Sequence, residues 1–524
     1  MLQRGWLGAG IVLIAAAAGG AWFVLSRPAG EAPEPAASNP LQPGSGAKPR
    51  TAPDPLFKGW GAPAFAIMLS GDQHGHIEPC GCSLRQLGGI ARRDDLLKQM
   101  TARGWPVTAF DVGGLVNRPA RRQSQIKFDA MTSALKSMKY AGLALGVEEL
   151  QTDLQFLLAS HNPRELPYLC ANIVLFGAPE VGLPVRSTIV QINDRKIGVT
   201  AVFGTTLKSA ILPPAAAQAA DQPRDIEFLD PRGSLAEVLA GFDKESPDLR
   251  VLLAHASLAE SRELAEAFPQ FDVVFSSGGP EDPDPQPAHV GKNLLVSVGA
   301  KGKHVGVLGF FPDDAEHRLR WELVDLDDER FKDSEEMREL MRFYQDRLAQ
   351  ENLAAREPAI EQPSGAEFVG AAKCGECHKK AYSKWQTTKH FHGYDSIKTG
   401  RESQKAEFIS RVHDPECLAC HVVGWDPQNV LRYKSGFVDE ATNPALRGQQ
   451  CENCHGPGSA HVAEEETYMK SRKVTDDLLR WRKAQHLVEG TAEKQVCIQC
   501  HDADNSPAFK FDKWWLEVKH PWRD

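Results

Sequence analysis

The sequence predicts a multidomain chain of two fold classes, an α/β layered sandwich in the amino-terminal part and a mostly helical part in the last third. Three observations predict it. Between about Ala62 and Leu326 short apolar runs alternate with amphipathic helical patterns, as when helices cover layered sheets. From about Phe368 onward strand-like runs are few and turn residues many. That last third also repeats one five-residue signature four times: Cys374-Gly-Glu-Cys377-His378, Cys417-Leu-Ala-Cys420-His421, Cys451-Glu-Asn-Cys454-His455 and Cys497-Ile-Gln-Cys500-His501. At 524 residues the chain is also too long for a single hydrophobic core.

Residues 1–26 read as a membrane anchor. Gly5 to Ser26 carry no charge and lie between Arg4 and Arg27. As a helix the run would be about 33 Å long, enough to cross a bilayer core. A cleaved secretory signal is the alternative, but its apolar region is usually shorter and no small-x-small cleavage site follows Leu25. Residues 27–61 are a linker rich in proline and alanine. Without apolar periodicity it cannot bury enough surface to fold, and it reads as a semi-stiff tether.

Residues 62–330 carry the α/β pattern. Its strands are expected at Phe65–Leu69, Val107–Asp111, Thr188–Ile192, Ile197–Val202, Arg250–Leu253, Val273–Phe275, Leu294–Val298 and Val305–Phe310, with helices at Ile90–Arg103, Ile126–Tyr140 and Leu258–Ala267. Residues 331–365 are a bridging helix and linker. Met337, Leu340, Met341, Tyr344 and Leu348 form one apolar stripe behind Asp333 or Ser334 as cap, and Pro358 and Pro363 end the segment.

Residues 366–524 hold the repeated signature. Two cysteines three positions apart can form thioethers to the two vinyl groups of one porphyrin, and the adjacent His then lies under the iron. Chance would supply roughly 0.01 such motifs in a chain of this make-up. Zinc bound by paired Cys-x-x-Cys units would not require a His after every pair. The sequence therefore predicts four covalently bound c-type haems, with Cys374, Cys377, Cys417, Cys420, Cys451, Cys454, Cys497 and Cys500 as attachment points and His378, His421, His455 and His501 as proximal ligands. Porphyrins would then supply much of this part's apolar core, and it should not fold without them. Because c-type haem is attached outside the cytoplasm, the bulk of the protein is expected in the periplasm, tethered to the inner membrane. Further iron ligands must come from His390, His392, His413, His461, His486 and His520. Met469 is the lone methionine of the region, so His/Met coordination cannot be general.

The run from Val369-Gly-Ala-Ala-Lys-Cys374 through Trp385, Lys389-His390-Phe391-His392-Gly393-Tyr394, Asp414-Pro-Glu-Cys417, Cys451-Glu-Asn-Cys454-His455-Gly-Pro-Gly-Ser-Ala-His461, Asn505-Ser-Pro507 and Lys519-His520-Pro521 resembles the cytochrome c-554 family of tetrahaem proteins. The resemblance implies haems stacked in close pairs with distal histidines drawn from outside the motifs. It points to His461 and His520, to one or both of His390 and His392, and less to His413 and His486. Some relatives leave one haem five-coordinate.

In the amino-terminal part, Asp72-Gln-His74-Gly-His76 stands at the end of the first strand, where Asp and His two apart can face one metal ion. A turn residue beside a capped His is the plain reading of the same spacing. The longer run to Cys80-Gly-Cys82 and Gly88-Gly89-Ile-Ala-Arg92 resembles the opening of the metallophosphoesterase superfamily, near its 5′-nucleotidase branch. That family uses two metals to activate water and clamp a phosphate. Where it has a metal-bridging Asp, this chain reads Asp111-Val-Gly-Gly114; where it has Gly-Asn-His, Gly146-Val-Glu148; where it has Gly-His-x-His, Gly278-Gly-Pro-Glu281. His255 survives in Leu252-Leu-Ala-His255. Asp72, His74 and His255 could hold at most one divalent metal, so the resemblance implies a phosphoesterase-like fold that has lost its hydrolytic site. Cys170 is expected to be a buried inert thiol, while the pairing of Cys80 and Cys82 is not legible.

The net charge of −9, without large blocks of one sign, argues against nucleic acid and leaves redox proteins and the membrane as partners. Electron transfer is the favoured function. The alternatives are an oxidoreductase acting on a small nitrogen or sulfur compound at an open haem, and a metal-dependent phosphoesterase coupled to the haems.

Overall fold

The structure, a computed structural model, describes residues 54–79, 86–118, 121–178, 183–212, 225–400 and 408–520. The anchor at Gly5–Ser26, most of the proline-rich linker, and Cys80 and Cys82 lie outside the described residues. Among the described residues no helix is long and apolar enough to cross a membrane.

Among the described residues the front part has fourteen strands: β1 (Phe65–Ser70), β2 (Val107–Asp111), β3 (Gly142–Ala144), β4 (Tyr168–Leu169), β5 (Ile173–Leu175), β6 (Ser187–Ile192), β7 (Arg195–Phe203), β8 (Ile226–Phe228), β9 (Leu249–His255), β10 (Val273–Ser276), β11 (Ala288–Val290), β12 (Asn293–Val296), β13 (His304–Phe310) and β14 (Leu319–Asp325). They form two six-stranded sheets, ordered β14-β13-β1-β2-β3-β4 and β11-β12-β10-β9-β7-β6. β1 to β4 are parallel neighbours, as are β7, β9, β10 and β12; β13, β14, β6 and β11 pair antiparallel at the flanks. β5 and β8 make a separate antiparallel pair.

The period-2 alternation of the strands explains the layering. Phe65, Ile67 and Leu69 of β1 pack with Val251 and Leu253 of β9 between the two sheets, whereas Ala66 and Met68 point the other way, under the helices. Leu252 and Ala254 do the same for β9 on the outer face of the second sheet. The result is the expected α/β sandwich, with helices outside. All eight expected strands occur, within two residues at their ends. The helix Leu258–Ala267 begins as its residues direct, since the Ser257 hydroxyl accepts from the Glu260 amide.

The bridging helix spans Glu335–Glu351 and buries Met337, Met341, Tyr344 and Leu348 in the core that also holds Ile126, Phe128 and Met131 from the helix Arg122–Ser137. Its apolar stripe thus belongs to the front part, and its Tyr344 end reaches the rear one.

The rear part is short helices joined by turns, with one small cluster of apolar side chains around Tyr394, Leu418, Val422 and Phe437. The helices Lys379–Gln386, Ser459–Ser471 and Phe511–Val518 bury no side chain. A protein interior without its own apolar filling needs another one.

A chamber lined by imidazole pairs and closed by a strand-end loop

The filling has a place. A cavity of about 2960 Å³ runs through the rear part and is lined by all eight motif cysteines and all four motif histidines. Sites for one small ligand are usually about 300–1,000 Å³. Phe509, Phe511, Trp514, Trp515 and Val496 give the walls an apolar character suited to porphyrin faces.

Across this cavity three motif histidines each face a second imidazole. The ring centres of His378 and His461 are 6.4 Å apart, those of His455 and His520 5.8 Å, and those of His501 and His390 6.0 Å. With metal–nitrogen bonds of about 2 Å, two imidazoles on opposite sides of one metal have ring centres about 6 Å apart. The chain therefore fits an iron between each pair. Backbone and side-chain acceptors fix the rings: Nδ1 of His455 lies 2.7 Å from the Gln485 carbonyl, that of His421 2.7 Å from the Gly393 carbonyl, and that of His501 2.9 Å from Ser506 Oγ. This leaves Nε2 for a metal, the arrangement usual for ligating histidines. Burial pushes the His390 imidazole down to about 4 and lowers His455, His461 and His501 as well, favouring the neutral form that can bind iron.

Of the expected distal candidates, His390, His461 and His520 are thus brought opposite a motif histidine. His392 is not: its side chain is 65% exposed, with Nδ1 3.6 Å from Asp395. It follows His390 by two residues across a helix start, so the two rings cannot share one direction. His413 is exposed, and His486 lines the cavity within electrostatic reach of His455.

The motifs have a spatial order different from their order in the chain. Cys374 and Cys451 are near neighbours, as are Cys420 and Cys500, and Cys454 lies within electrostatic reach of Cys497. The series therefore runs first, third, fourth, second.

In the front part the loops after β1 and β2 zip together: Asp72, His74 and Gly75 donate their amides to the carbonyls of Gly113, Gly114 and Leu115. Asp72 and His74 hold left-handed backbone at φ 46° and 47°, a costly conformation for non-glycine residues. The structure does not gather Asp72, His74 and His255 around a metal. Nδ1 of His255 lies 2.9 Å from the Val112 carbonyl and its Nε2 accepts from the Val147 amide at 3.2 Å, so both nitrogens are engaged. Among the described residues no three His, Cys, Asp or Glu side chains converge as a metal-binding group. The centre of the place is filled by Glu149, which sequence reasoning passed over. Its buried carboxylate accepts from the amides of Gly114, Leu115 and Gly146 at 2.9–3.0 Å. Beside it, burial and then the neighbouring Glu149 charge push the Glu148 carboxyl up to about 7. Cys170 is fully buried, donates to Asn172 Oδ1 at 3.3 Å, and has its thiol pushed up to about 12 by burial, as suits an inert side chain.

His74, His76, Glu78 and Pro79 also line the haem-sized cavity, so the strand-end loop forms part of its wall. The seam is held by charge. Lys127 Nζ lies 2.6 Å from Glu416, Arg411 2.5 Å from Glu78, and Lys301 2.5 Å from Asp504. Asp414 accepts from Gln123 at 2.8 Å and from Gln345 of the bridging helix at 2.9 Å, while also capping the helix Pro415–His421. The sequence signal for this was available only in part: Asp414-Pro415 marks a helix start, but nothing in it names its partners.

Residues 373–456 match the family model described as cytochrome c554 and c-prime. Cytochrome c-554 of Nitrosomonas europaea is 30% identical over 186 residues, in an alignment covering 29% of this chain and 74% of that protein. Among solved structures, the 5′-nucleotidase precursor from Thermus thermophilus aligns with a TM-score of 0.45 at 20% identity, over 57% of this chain and 61% of that one. The NAD nucleotidase of Haemophilus influenzae aligns with a TM-score of 0.42 at 16% identity, over 64% and 69%. This chain thus spans less than two thirds of the first of these nucleotidases.

Proposed function

Since the chain belongs, through its carboxy-terminal part, to the cytochrome c-554 family, we propose that it is an electron-transfer protein carrying four covalently bound c-type haems. When bound, haem supplies a one-electron couple at its iron. The observation that carries the proposal is the facing of three motif histidines by second imidazoles at 5.8–6.4 Å. The eight cysteines would hold the porphyrins by thioethers; His378 with His461, His455 with His520, and His501 with His390 would ligate three irons, and His421 would ligate the fourth. Ligation by two imidazoles closes an iron to outside ligands and favours electron transfer over ligand chemistry. The closeness of neighbouring motifs supports passage of electrons along the series.

The front part is read as non-hydrolytic. Glu149 occupies the loop centre and His255 spends both nitrogens on backbone groups, which supports packing against the haem part as its role. Gly5–Ser26 would anchor the chain in the inner membrane with its bulk in the periplasm.

The test is an electronic and paramagnetic resonance spectrum of the oxidised, matured protein with a haem count per chain. Four thioether-bound haems, at least three of them low-spin, are expected. Fewer than four haems, or a majority of high-spin irons, would overturn the reading. Two equivalents of a divalent metal together with hydrolysis of a nucleotide ester would overturn its front-part half.

A further inference from the structure

The two ends of the motif series meet different surroundings. At the second motif the chain is covered: Leu418 and Ala419 are 0% and 1% exposed, and Arg411, Asp414 and Glu416 just before it are the residues that engage the front part. Asp504, just past the fourth motif, is engaged in the same way by Lys301. At the first motif, the other end of the series, Lys379 and Lys380 directly after the motif histidine are exposed and do not line the cavity.

The charge differs as well. Between Lys373 and Lys389 there are five lysines, at 373, 379, 380, 384 and 389, against the single acid Glu376. The other motifs are accompanied by acids: Asp414 and Glu416, Glu452, and Asp502 and Asp504. On the helix Lys379–Gln386 the side chains of Ala381 and Trp385 line the cavity, while Lys379 and Lys380 are exposed. Lys389, also exposed, stands 5.4 Å over the Trp514 ring and so extends the basic surface toward the last helix. Lys373 is held by Glu376 at 2.8 Å and Glu466 at 3.1 Å. The collar is a local basic surface on a chain of net charge −9.

We propose that the seam with the front part closes the second-motif end of the series, leaving the lysine collar around the first motif as the surface on which an acidic redox protein docks. The proposal rests on the electron-transfer reading above. Complementary charge steers such encounters, raises association rates and makes them salt-dependent, while a rim of long flexible lysines keeps the complex short-lived. A membrane surface is disfavoured as occupant because the helix Lys379–Gln386 turns its apolar Ala381 and Trp385 into the cavity, so that the face it exposes is lysine and not amphipathic.

The experiment uses the full-length haem-loaded protein, its K379E/K380E variant, and R262E on the exposed face of the helix Leu258–Ala267 as a control for charge reversal away from the collar. Fully reduced protein is oxidised in stopped flow by ferricyanide, a trianion that takes one electron from one ferrous haem, and separately by the trication hexaammineruthenium(III), at low and high salt. In parallel, adsorption of the oxidised protein on a carboxylate-terminated monolayer is weighed. At low salt K379E/K380E should slow ferricyanide about tenfold, speed the cation and lose most of its adsorption, with the differences gone at high salt. R262E should leave all three near wild type. Equal effects from R262E, or none from K379E/K380E, would overturn the docking surface while leaving electron transfer standing. A protein that neither oxidant oxidises would instead sink the electron-transfer reading itself. Should K379E/K380E fail to load haem, K384Q read by the same three measurements decides the matter. Adsorption to phosphatidylglycerol vesicles in preference to the carboxylate monolayer would favour a membrane occupant and overturn the protein one.

Discussion

Replacing Glu416 by glutamine tests whether the two parts are one packed body at the second motif. Lys127 is 6% exposed in its side chain and sits 2.6 Å from Glu416, with the Tyr344 ring 5.9 Å beneath its ammonium group. An ammonium so placed has lost most of its water and depends on its carboxylate. Breaking a buried pair costs about 3–5 kcal/mol because a charge is left behind. Glu416 keeps 31% exposure and Arg118 stands 3.7 Å away, so the lower end, about 3 kcal/mol, is expected. The double variant Lys127→Met with Glu416→Gln removes the buried charge as well as its partner, and should recover most of the loss. The coupling in the double-mutant cycle is then about 2 kcal/mol. Urea midpoints of the haem-loaded protein at pH 7 measure it, followed by tryptophan fluorescence and by Soret absorption. The pH dependence has a definite sign. The Lys127 charge lowers Glu416 below the ordinary glutamate range despite burial, so the pair's contribution is present above that range and fades as pH falls through the lowered value. The difference between E416Q and wild type should shrink accordingly below about pH 4. An E416Q midpoint within about 0.5 kcal/mol of wild type at pH 7, or a coupling indistinguishable from zero, would show that the seam is not the dehydrated contact described.

Three further outcomes are expected. His461→Ala, His520→Ala and His390→Ala should each turn one low-spin haem high-spin in the paramagnetic resonance spectrum, and His392→Ala should turn none; a converted haem in His392→Ala would mean the pairings are misassigned. Glu149→Ala leaves the amides of Gly114, Leu115 and Gly146 without their acceptor, at about 1–3 kcal/mol for each buried group, so a loss of at least about 3 kcal/mol is expected in the denaturation midpoint. Glu148→Gln should gain on wild type as pH rises. The folded carboxyl titrates near 7, above the unfolded value, so wild type loses stability as pH climbs from about 4.5 through 7, up to about 3 kcal/mol, whereas the amide does not. Melting temperatures that keep a constant offset between pH 5 and 8 would contradict this.

What was legible in the sequence followed from contiguity. Thioether attachment needs two cysteines and a histidine within five residues, so the four motifs stand out without any knowledge of the fold. Strands with long apolar runs, such as β1, β2 and β13, were equally plain. β4 is two residues long and β3 three, too short for any period to show, and β14 alternates but carries Arg320, Trp321 and Glu322 at partly exposed positions that blurred its pattern. The helix Pro231–Glu245 had its signal in Asp230-Pro231, a cap followed by proline at the first turn, and was simply overlooked. Distal candidates were a different problem: His390 precedes the motif histidine it faces by a long stretch, and His461 and His520 follow theirs, so only the folded chain brings three of the six opposite motif histidines. Glu149 was invisible for the same reason. Its three amides come from two loops, and a glutamate following another glutamate gives no hint of them.

The glutamate-filled loop leaves little room for change. Gly114 holds φ 75°, and a side chain begun there would put its first carbon 2.7 Å from Asp72 Oδ1; one begun at Gly146 would meet His255 Cε1 at 2.4 Å and Glu149 Oε2 at 2.7 Å. A side chain placed at 114 or 146 therefore collides with occupied space. Removing Glu149 strips three amides of their acceptor and loosens the loop whose His74 and His76 line the chamber. Each single step is uphill, so the loop behaves as masonry in which no stone can be exchanged alone.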